Sequence, residues 1–277
     1  MRVGLCQLNV SDDPSANLPV TLDLVRTAAK DGAQFVLTPE VTNCISMSPA
    51  HQADVLRPQD TDPTLKALRD EAAGLGIWLL AGSLAIKTDD ADGRFANRSF
   101  LIGPDGNIAA WYDKIHMFDV AISETESYQE SKGYRPGDRA FLAQTELGAI
   151  GMTICYDLRF PHLFRDLAKA GADIITVPSA FSPATGKAHW ETLLRARAIE
   201  TGCFILAPAQ TGTHASTAPK PRETHGHSLV VAPWGEVLLD MGLAPGVACI
   251  DLDMTQIGTA RQRVPSLLHD RPYTPVT

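Results

Sequence analysis

The chain of 277 residues has the composition of a globular protein, with 44% hydrophobic residues and a formal net charge of -8. That hydrophobic content is enough for a sizeable core. An acidic chain without runs of lysine or arginine lacks the electrostatic footprint of a nucleic-acid-binding protein. We therefore exclude nucleic acid as an expected partner.

The apolar segments and the cysteines predict a cytoplasmic protein. No apolar stretch approaches the ~20 residues that a membrane span needs, and the apolar run after Arg2 is too short for a signal peptide. The five cysteines include no CxxC pair, so we expect free thiols in a reducing compartment. We expect no membrane association, no disulfide framework and no zinc site.

Apolar, β-branched runs alternate with segments of helical periodicity, which predicts an α/β fold in a single domain over residues 1–277. The helix-free stretch 78–111 favours antiparallel strands, and the turn motifs at 103–106 and 233–235 predict hairpins. The predicted strands cover residues 3–8, 35–37, 77–86, 99–102, 149–155, 174–177, 204–207, 228–231 and 247–252. The predicted helices cover residues 17–30, 63–73, 161–170 and 187–201.

Two polar segments without periodicity, 123–134 and 211–224, stand out between these elements. Loops of this length are uncommon unless they have a function such as covering a site. The alternative is a solvated loop without a function. Their length alone does not decide between a lid and a solvated loop.

Cys155 is a candidate nucleophile because it ends a buried apolar strand just before a predicted helix begins at Pro161. The dipoles of a helix N-terminus favour thiolate, the reactive form of cysteine. The competing interpretation is a buried cysteine that packs as a small hydrophobic residue. Partners elsewhere in the chain are needed to decide between the two.

Three charged residues also stand close to apolar runs: Glu40, Lys114 and Glu130. Any one of them alone is explained as the point where the chain meets water. Together with Cys155 they form a chemically complete set. A carboxylate can take the proton of a thiol, an ammonium can stabilise a thiolate or an oxyanion, and a second carboxylate can hold the ammonium.

The sequence resembles the nitrilase superfamily of carbon-nitrogen hydrolases, and within it the Nit branch of deaminated glutathione amidases and ω-amidases. The resemblance covers nearly the whole chain. It is carried by eight motifs: LTPE (37–40), YDKIHMFD (112–119), YQES (128–131), ICYDLRFP (154–161), PSAF (178–181), TGKAHW (185–190), LRARAIE (194–200) and GHSLVVAPWG (226–235).

The resemblance implies a four-layer αββα sandwich in which two mixed sheets have helices outside, and a homodimer or higher homo-oligomer. It implies Glu40 as general base, Lys114 as catalytic lysine, Cys155 as nucleophile and Glu130 as a supporting glutamate. The implied oxyanion hole consists of the Lys114 side chain and the backbone N–H of Tyr156. The implied reaction proceeds through a thioester and uses an amide, water and no cofactor.

Arg159 could bind a substrate carboxylate through its guanidinium fork, or it could form a salt bridge with a neighbouring acid. In the Nit branch this arginine contacts the acid end of the substrate together with residues that correspond to Phe181 and Thr185. Without the resemblance, core packing explains Phe181 and helix capping explains Thr185 equally well. The expected substrate is deaminated glutathione or an ω-amide of a keto or dicarboxylic acid.

Three other functions stay open: an N-carbamoyl amino acid amidohydrolase, a papain-like thiol hydrolase with a histidine base, and a non-catalytic binding module. Loss of activity on mutation of Glu40 would separate the nitrilase-type amidase from the papain-like hydrolase, which would keep its activity. His116 and His189 are interpreted as structural groups because neither has the neighbours of a Cys–His triad. His225 and His227 provide too few ligands for a catalytic zinc.

Overall fold

The computed structural model describes residues 1–124, 126–218 and 221–274. Over these residues the strands are β1 (Arg2–Gln7), β2 (Phe35–Leu37), β3 (Trp78–Ile86), β4 (Ala96–Ile102), β5 (Ile108–Asp113), β6 (Asp119–Ala121), β7 (Ser127–Gln129), β8 (Phe141–Thr145), β9 (Gly148–Met152), β10 (Ile174–Thr176), β11 (Phe204–Ala207), β12 (Thr211–Thr213), β13 (Glu223–His225), β14 (Leu229–Val231), β15 (Val237–Asp240) and β16 (Gly246–Asp251). The helices are α1 (Pro14–Lys30), α2 (Pro49–Val55), α3 (Pro63–Leu75), α4 (Pro161–Lys169), α5 (Pro183–Thr201) and α6 (Thr255–Arg263). None of the helices in the described ranges is both long and apolar enough to cross a membrane.

Two six-stranded sheets form the centre of the molecule. The strand order is β16-β1-β2-β3-β4-β5 in the first sheet and β15-β14-β11-β10-β9-β8 in the second. In the first sheet β1, β2 and β3 are parallel, and in the second β9, β10 and β11 are parallel, whereas the outer strands pair antiparallel. Both sheets are therefore mixed.

Alternation of side chains along the first sheet produces two hydrophobic layers. In β1, Leu5 belongs to the cluster that contains the strands of the second sheet, whereas Cys6 belongs to the cluster formed with α1 and α3. Phe35 and Val36 divide between the two clusters in the same way. Helices α4 and α5 pack on the second sheet, so the prediction of a four-layer αββα sandwich is confirmed.

Most predicted elements are present with bounds that shift by a few residues. Strands β3, β4 and β5 pair antiparallel and the hairpins at 103–106 and 233–235 form, as predicted. The predicted strand over 149–155 is too long, because β9 ends at Met152 and Cys155 begins a 3-10 helix (Cys155–Arg159). Hydrogen bonds of Asp157 with Ile154 turn the chain out of the sheet before α4 begins.

The pattern analysis missed several small elements, among them the edge strand β8 of the second sheet. Helices α2 and α6 were not predicted, and the two polar segments contain parts of two-stranded sheets, β6 with β7 and β12 with β13. These elements are short or polar, so their hydrophobic periodicity is weak. Within the two segments, Thr125, Pro219 and Lys220 lie outside the described residues.

Gly82 in β3 lies close to chain segments that follow strands of both sheets. A Cβ atom at this position would lie 1.8 Å from the Thr38 carbonyl oxygen and 2.5 Å from the Pro178 Cβ. Thr38 follows β2 in the first sheet and Pro178 follows β10 in the second. Only glycine therefore permits this contact.

We expect Gly82→Ala to lower the free energy of unfolding by about 3 kcal/mol, because backbone and proline atoms cannot move aside. Urea denaturation measures the effect. Gly74→Ala is the matched control: Gly74 lies in α3 with open space around it, so alanine should stabilise the protein by about 0.5–1 kcal/mol. Equal effects of the two substitutions would contradict the expected clash.

Candidate active site

The structure brings Glu40, Lys114, Glu130 and Cys155 to the wall of one cavity of about 300 Å³. Glu40 follows β2 and Cys155 follows β9, so base and nucleophile come from the ends of parallel strands in different sheets. Lys114 follows β5, and Glu130 follows β7 in the polar segment 123–134. Residues of four separate chain regions thus meet where the two sheets end.

Lys114 lies buried between the two carboxylates. Its Nζ is 2.9 Å from Glu40 Oε1 and 2.8 Å from Glu130 Oε2. Burial opposes the charge of the ammonium, but Glu130 and Glu40 outweigh it and raise the pKa of Lys114 well above its ordinary value. The ammonium therefore stays charged.

Glu40 is held as a carboxylate. Burial alone would raise its pKa, but the charges of Lys114 and Arg222 outweigh burial and lower the pKa of Glu40. Its Oε2 also accepts a 2.8 Å hydrogen bond from the backbone N–H of Ala180. At neutral pH, Glu40 can therefore accept a proton.

Cys155 is a thiol in this environment. Burial, followed by the charge of Glu40, raises the pKa of Cys155 above its ordinary value, although Lys114 opposes the shift. The net shift of the Cys155 pKa is therefore upward, opposite to the direction expected from helix dipoles alone. The thiol and the Glu40 carboxylate act on each other electrostatically and line one cavity, so a proton acceptor lies near the nucleophile.

The backbone is strained at the base and at the nucleophile. Cys155 has φ of 50° and Val41, directly after Glu40, has φ of 48°, both in the left-handed region. The Cys155 N–H donates to the Pro178 carbonyl at 3.0 Å, and the Val41 N–H donates to Ser83 Oγ at 2.8 Å. Surrounding hydrogen bonds thus hold both residues in conformations that such residues rarely adopt.

Asp157 connects the segment around the nucleophile with the segment around Lys114. Its fully buried carboxylate accepts hydrogen bonds from Tyr112 Oη at 2.7 Å and from the Ile154 N–H at 2.8 Å. It also accepts from the His116 N–H at 3.1 Å and lies 2.7 Å from His116 Nδ1. Asp157 therefore fixes the distance between two parts of the site.

The side chains predicted to contact substrate lie in different surroundings. Phe181 lines the cavity, as does Tyr156, whose N–H belongs to the first turn of the 3-10 helix, where such groups have no intrahelical acceptor. Arg159 and Thr185 do not line it. Arg159 lies 5.6 Å from the Phe181 ring and donates to His189 Nδ1 at 3.2 Å.

Sequence reasoning missed several polar residues of the cavity wall, among them Asn97 and Arg222. Asn97 Nδ2 donates to Glu40 Oε1 at 2.8 Å and to Glu130 Oε1 at 3.3 Å, which binds the two carboxylates together. Arg222 lies in the polar segment 211–224. Asn97 is the second residue of β4 and belongs to no motif that the pattern analysis recognised. The polar segment indicated only a loop, so neither residue had a signal in the sequence.

The histidines of the chain lie apart from the reactive groups. His116 stacks on Phe160 with ring centroids 3.5 Å apart, and neither it nor His189 lines the cavity. His225 and His227 stack on each other at 4.7 Å. In the part of the chain that the structure describes, no group of three or more histidine, cysteine or acidic residues could hold a metal ion.

Comparisons with known proteins agree with the fold and the site. The family model described as carbon-nitrogen hydrolase matches residues 2–262. The deaminated glutathione amidase of Yersinia enterocolitica is 38% identical over 271 residues, which are 98% of this chain and 93% of that protein. The structure of the C. elegans NitFhit protein has a TM-score of 0.90 at 34% identity and covers 98% of this chain and 65% of that chain.

A third relative provides a chemical comparison. The amidase of Nesterenkonia sp. AN1 has a TM-score of 0.77 at 25% identity, covering 96% of this chain and 98% of that chain. In one of its mutants, acrylamide has added to the active-site cysteine. Fold and comparisons together define an amidase. The chain belongs to the carbon-nitrogen hydrolase family, as the resemblance implied.

We expect Asp157→Asn to lower kcat about 100-fold, because a side chain with one acceptor cannot hold the four donors that position Cys155 and Lys114. Kinetics on an amide substrate and a melting curve measure the effect. The control is Asp166→Asn, an exposed position in α4. A folded Asp157→Asn variant with unchanged kcat would contradict the positioning role.

His214 anchors the segment that carries Arg222, with Nδ1 2.7 Å from the Val10 carbonyl and Nε2 2.7 Å from Thr224 Oγ1. Burial lowers the pKa of His214 to about 4. The unfolded chain takes up the proton near pH 6.5, whereas the folded chain does so only near 4. The stability from neutral His214 is thus complete above pH 6.5 and is lost as pH falls towards 4.

We therefore expect His214→Gln to remove up to about 3 kcal/mol from the fall in unfolding free energy between pH 6.5 and 4. Denaturant titrations across this range measure the difference from the unmutated protein. The exposed His269 offers the control variant His269→Gln, which should leave the pH dependence unchanged. Parallel pH profiles for the unmutated protein and His214→Gln would show that His214 is not the titrating group.

Proposed function

We propose that this amidase hydrolyses the terminal amide of a small carboxylate-bearing compound through a thioester on Cys155, with release of ammonia. The main support is one observation: Cys155 lines the same cavity as an ionised Glu40 that contacts the buried ammonium of Lys114. A base, a nucleophile and a fixed positive charge are what thioester chemistry requires.

In the first half of the reaction, Cys155 Sγ attacks the carbonyl carbon of the amide while Glu40 takes the thiol proton. Glu40 then passes this proton to the nitrogen as the carbon–nitrogen bond breaks, and ammonia leaves. A base is needed because Cys155 is a thiol, and Glu40 is suited to this role because it is ionised and adjacent.

The oxyanion that forms at each tetrahedral stage is stabilised by the Lys114 ammonium and the Tyr156 backbone N–H. Glu130 supports this role because it holds Lys114 Nζ through both carboxylate oxygens, at 2.8 and 3.0 Å. The charge is therefore in place before the reaction begins and needs no reorganisation.

In the second half, Glu40 takes a proton from water, the water oxygen attacks the thioester, and the carbon–sulfur bond breaks. The thiolate of Cys155 recovers its proton from Glu40, and the carboxylic acid product leaves. The cycle restores every group without a cofactor. It divides one difficult amide hydrolysis into two easier steps.

The proposed substrate is deaminated glutathione. Relatives in bacteria and mammals that are 36–38% identical to this chain carry the name deaminated glutathione amidase. Phe181 supplies apolar wall in the cavity, whereas Arg159 and Thr185, the acid-end contacts that the resemblance implies, do not line it. An ω-amide of a keto or dicarboxylic acid offers the same carboxylate and amide groups.

We further propose one catalytic domain over residues 1–277, a cytoplasmic location and a homodimer. The family match over residues 2–262 supports the domain, and five free cysteines support a reducing compartment. Exposed apolar side chains around a second cavity, Ile199, Trp234, Val264 and Leu268, support self-association.

The test is release of ammonia from four compounds: deaminated glutathione, α-ketoglutaramate, succinamate and an N-carbamoyl amino acid. We expect the highest kcat/KM with deaminated glutathione. Cys155→Ala should lower turnover by at least about 10⁴-fold, because no other group forms the thioester.

Cys203→Ala is the control, because Cys203 is equally buried and lies outside the cavity. Full turnover by a Cys155→Ala variant would refute the mechanism. A preference for the N-carbamoyl compound would instead assign the protein to N-carbamoyl amino acid hydrolysis by the same thioester route.

A further inference from the structure

The cavity needs a cation to bind a carboxylate, and Lys114 is not available for this. Its charge is already shared between Glu40 and Glu130, so this group of three carries a net negative charge. A substrate carboxylate would be repelled by it. Two further cations line the cavity, Lys132 and Arg222.

Arg222 is the more enclosed of the two cations. Its Nη2 donates to the Ala180 carbonyl at 2.8 Å, and its guanidinium lies 5.5 Å from the Tyr128 ring. Lys132 is exposed to solvent, where a charge attracts a carboxylate only weakly.

Part of the Arg222 guanidinium has no hydrogen-bond partner among the residues that the structure describes. Its Nε is buried without a hydrogen-bond acceptor, and no carboxylate among the described residues lies within 4.0 Å of the side chain. A buried N–H group without an acceptor costs free energy. An anionic ligand in the cavity would supply the missing acceptor and the missing opposite charge.

Arg159 differs from Arg222 in its access to the cavity and in the partners of its guanidinium. It does not line the cavity, and its guanidinium already donates to His189. Arg222 is also close enough to the reactive groups for its charge to act on Glu40, and its contact with Ala180 adjoins the N–H that binds Glu40.

We propose that Arg222 binds the carboxylate of the substrate's acyl group and thereby sets the preference for acidic amides. This inference rests on the proposed function and adds the residue that selects the substrate. The guanidinium fork can form two charge-assisted hydrogen bonds with a carboxylate, which a lysine cannot match.

The first experiment measures kcat/KM for succinamate and for butyramide, which has a methyl group in place of the carboxylate. We expect Arg222→Gln to lower the ratio of the two values by about 10- to 100-fold, and Arg222→Lys to lower it less. The ratio separates carboxylate binding from a structural effect through Ala180, which would slow both substrates equally.

Two matched variants serve as controls. Lys132→Gln removes one positive charge from the same cavity wall, and Arg159→Gln removes the other candidate arginine. We expect a smaller change of the ratio from each. An unchanged ratio in Arg222→Gln, or a larger change in Arg159→Gln, would overturn the proposal.

The second experiment measures binding without turnover. Succinate is titrated into Cys155→Ala and into Cys155→Ala combined with Arg222→Gln, with binding followed by calorimetry. We expect the second protein to bind about 10- to 100-fold more weakly. Equal affinities would reject the role of Arg222. If the unmutated protein hydrolyses no amide, the proposed function fails, while this measurement still decides whether Arg222 binds carboxylates.

Discussion

The buried charge of Lys114 is the constraint on which the rest of the site depends. An isolated ammonium in a protein interior costs several kcal/mol, and removing one partner of a buried pair leaves that cost uncompensated. Glu40 and Glu130 must therefore both stay in contact with it, and Asn97 binds both carboxylates. The same contacts that stabilise the ammonium keep Glu40 ready to accept the proton of Cys155.

The two sheets supply the rigidity that this arrangement needs. Glu40 and Cys155 end strands of different sheets, and the glycine at position 82 lets those strand ends approach each other. Positive φ at Val41 and Cys155 costs roughly 1–3 kcal/mol each, so such conformations persist only where the surroundings enforce them. The hydrogen bonds of Asp157 and the backbone contacts of both turns provide that enforcement.

The sequence predicted the long elements well because buried strands and helices have apolar residues at periodic positions. The strand over 78–86 and the helix over 63–75 are apolar at the spacing that their sheet or helix requires. Short, exposed elements escaped prediction, since a three-residue strand such as β6 or β12 has no buried apolar run of its own, unlike β2 or β10. The end of β9 was misplaced because the turn at Cys155 depends on hydrogen bonds of Asp157.

By itself, the sequence determined the α/β class, the family and the chemical set of two glutamates, a lysine and a cysteine. These follow from residue types and motifs, which are local. Only the tertiary structure decided that Cys155 is a thiol and that Arg222, not Arg159, lines the cavity. The protonation state of a side chain and its access to a cavity depend on burial and on charges from distant segments. A local sequence pattern predicts neither of these two properties.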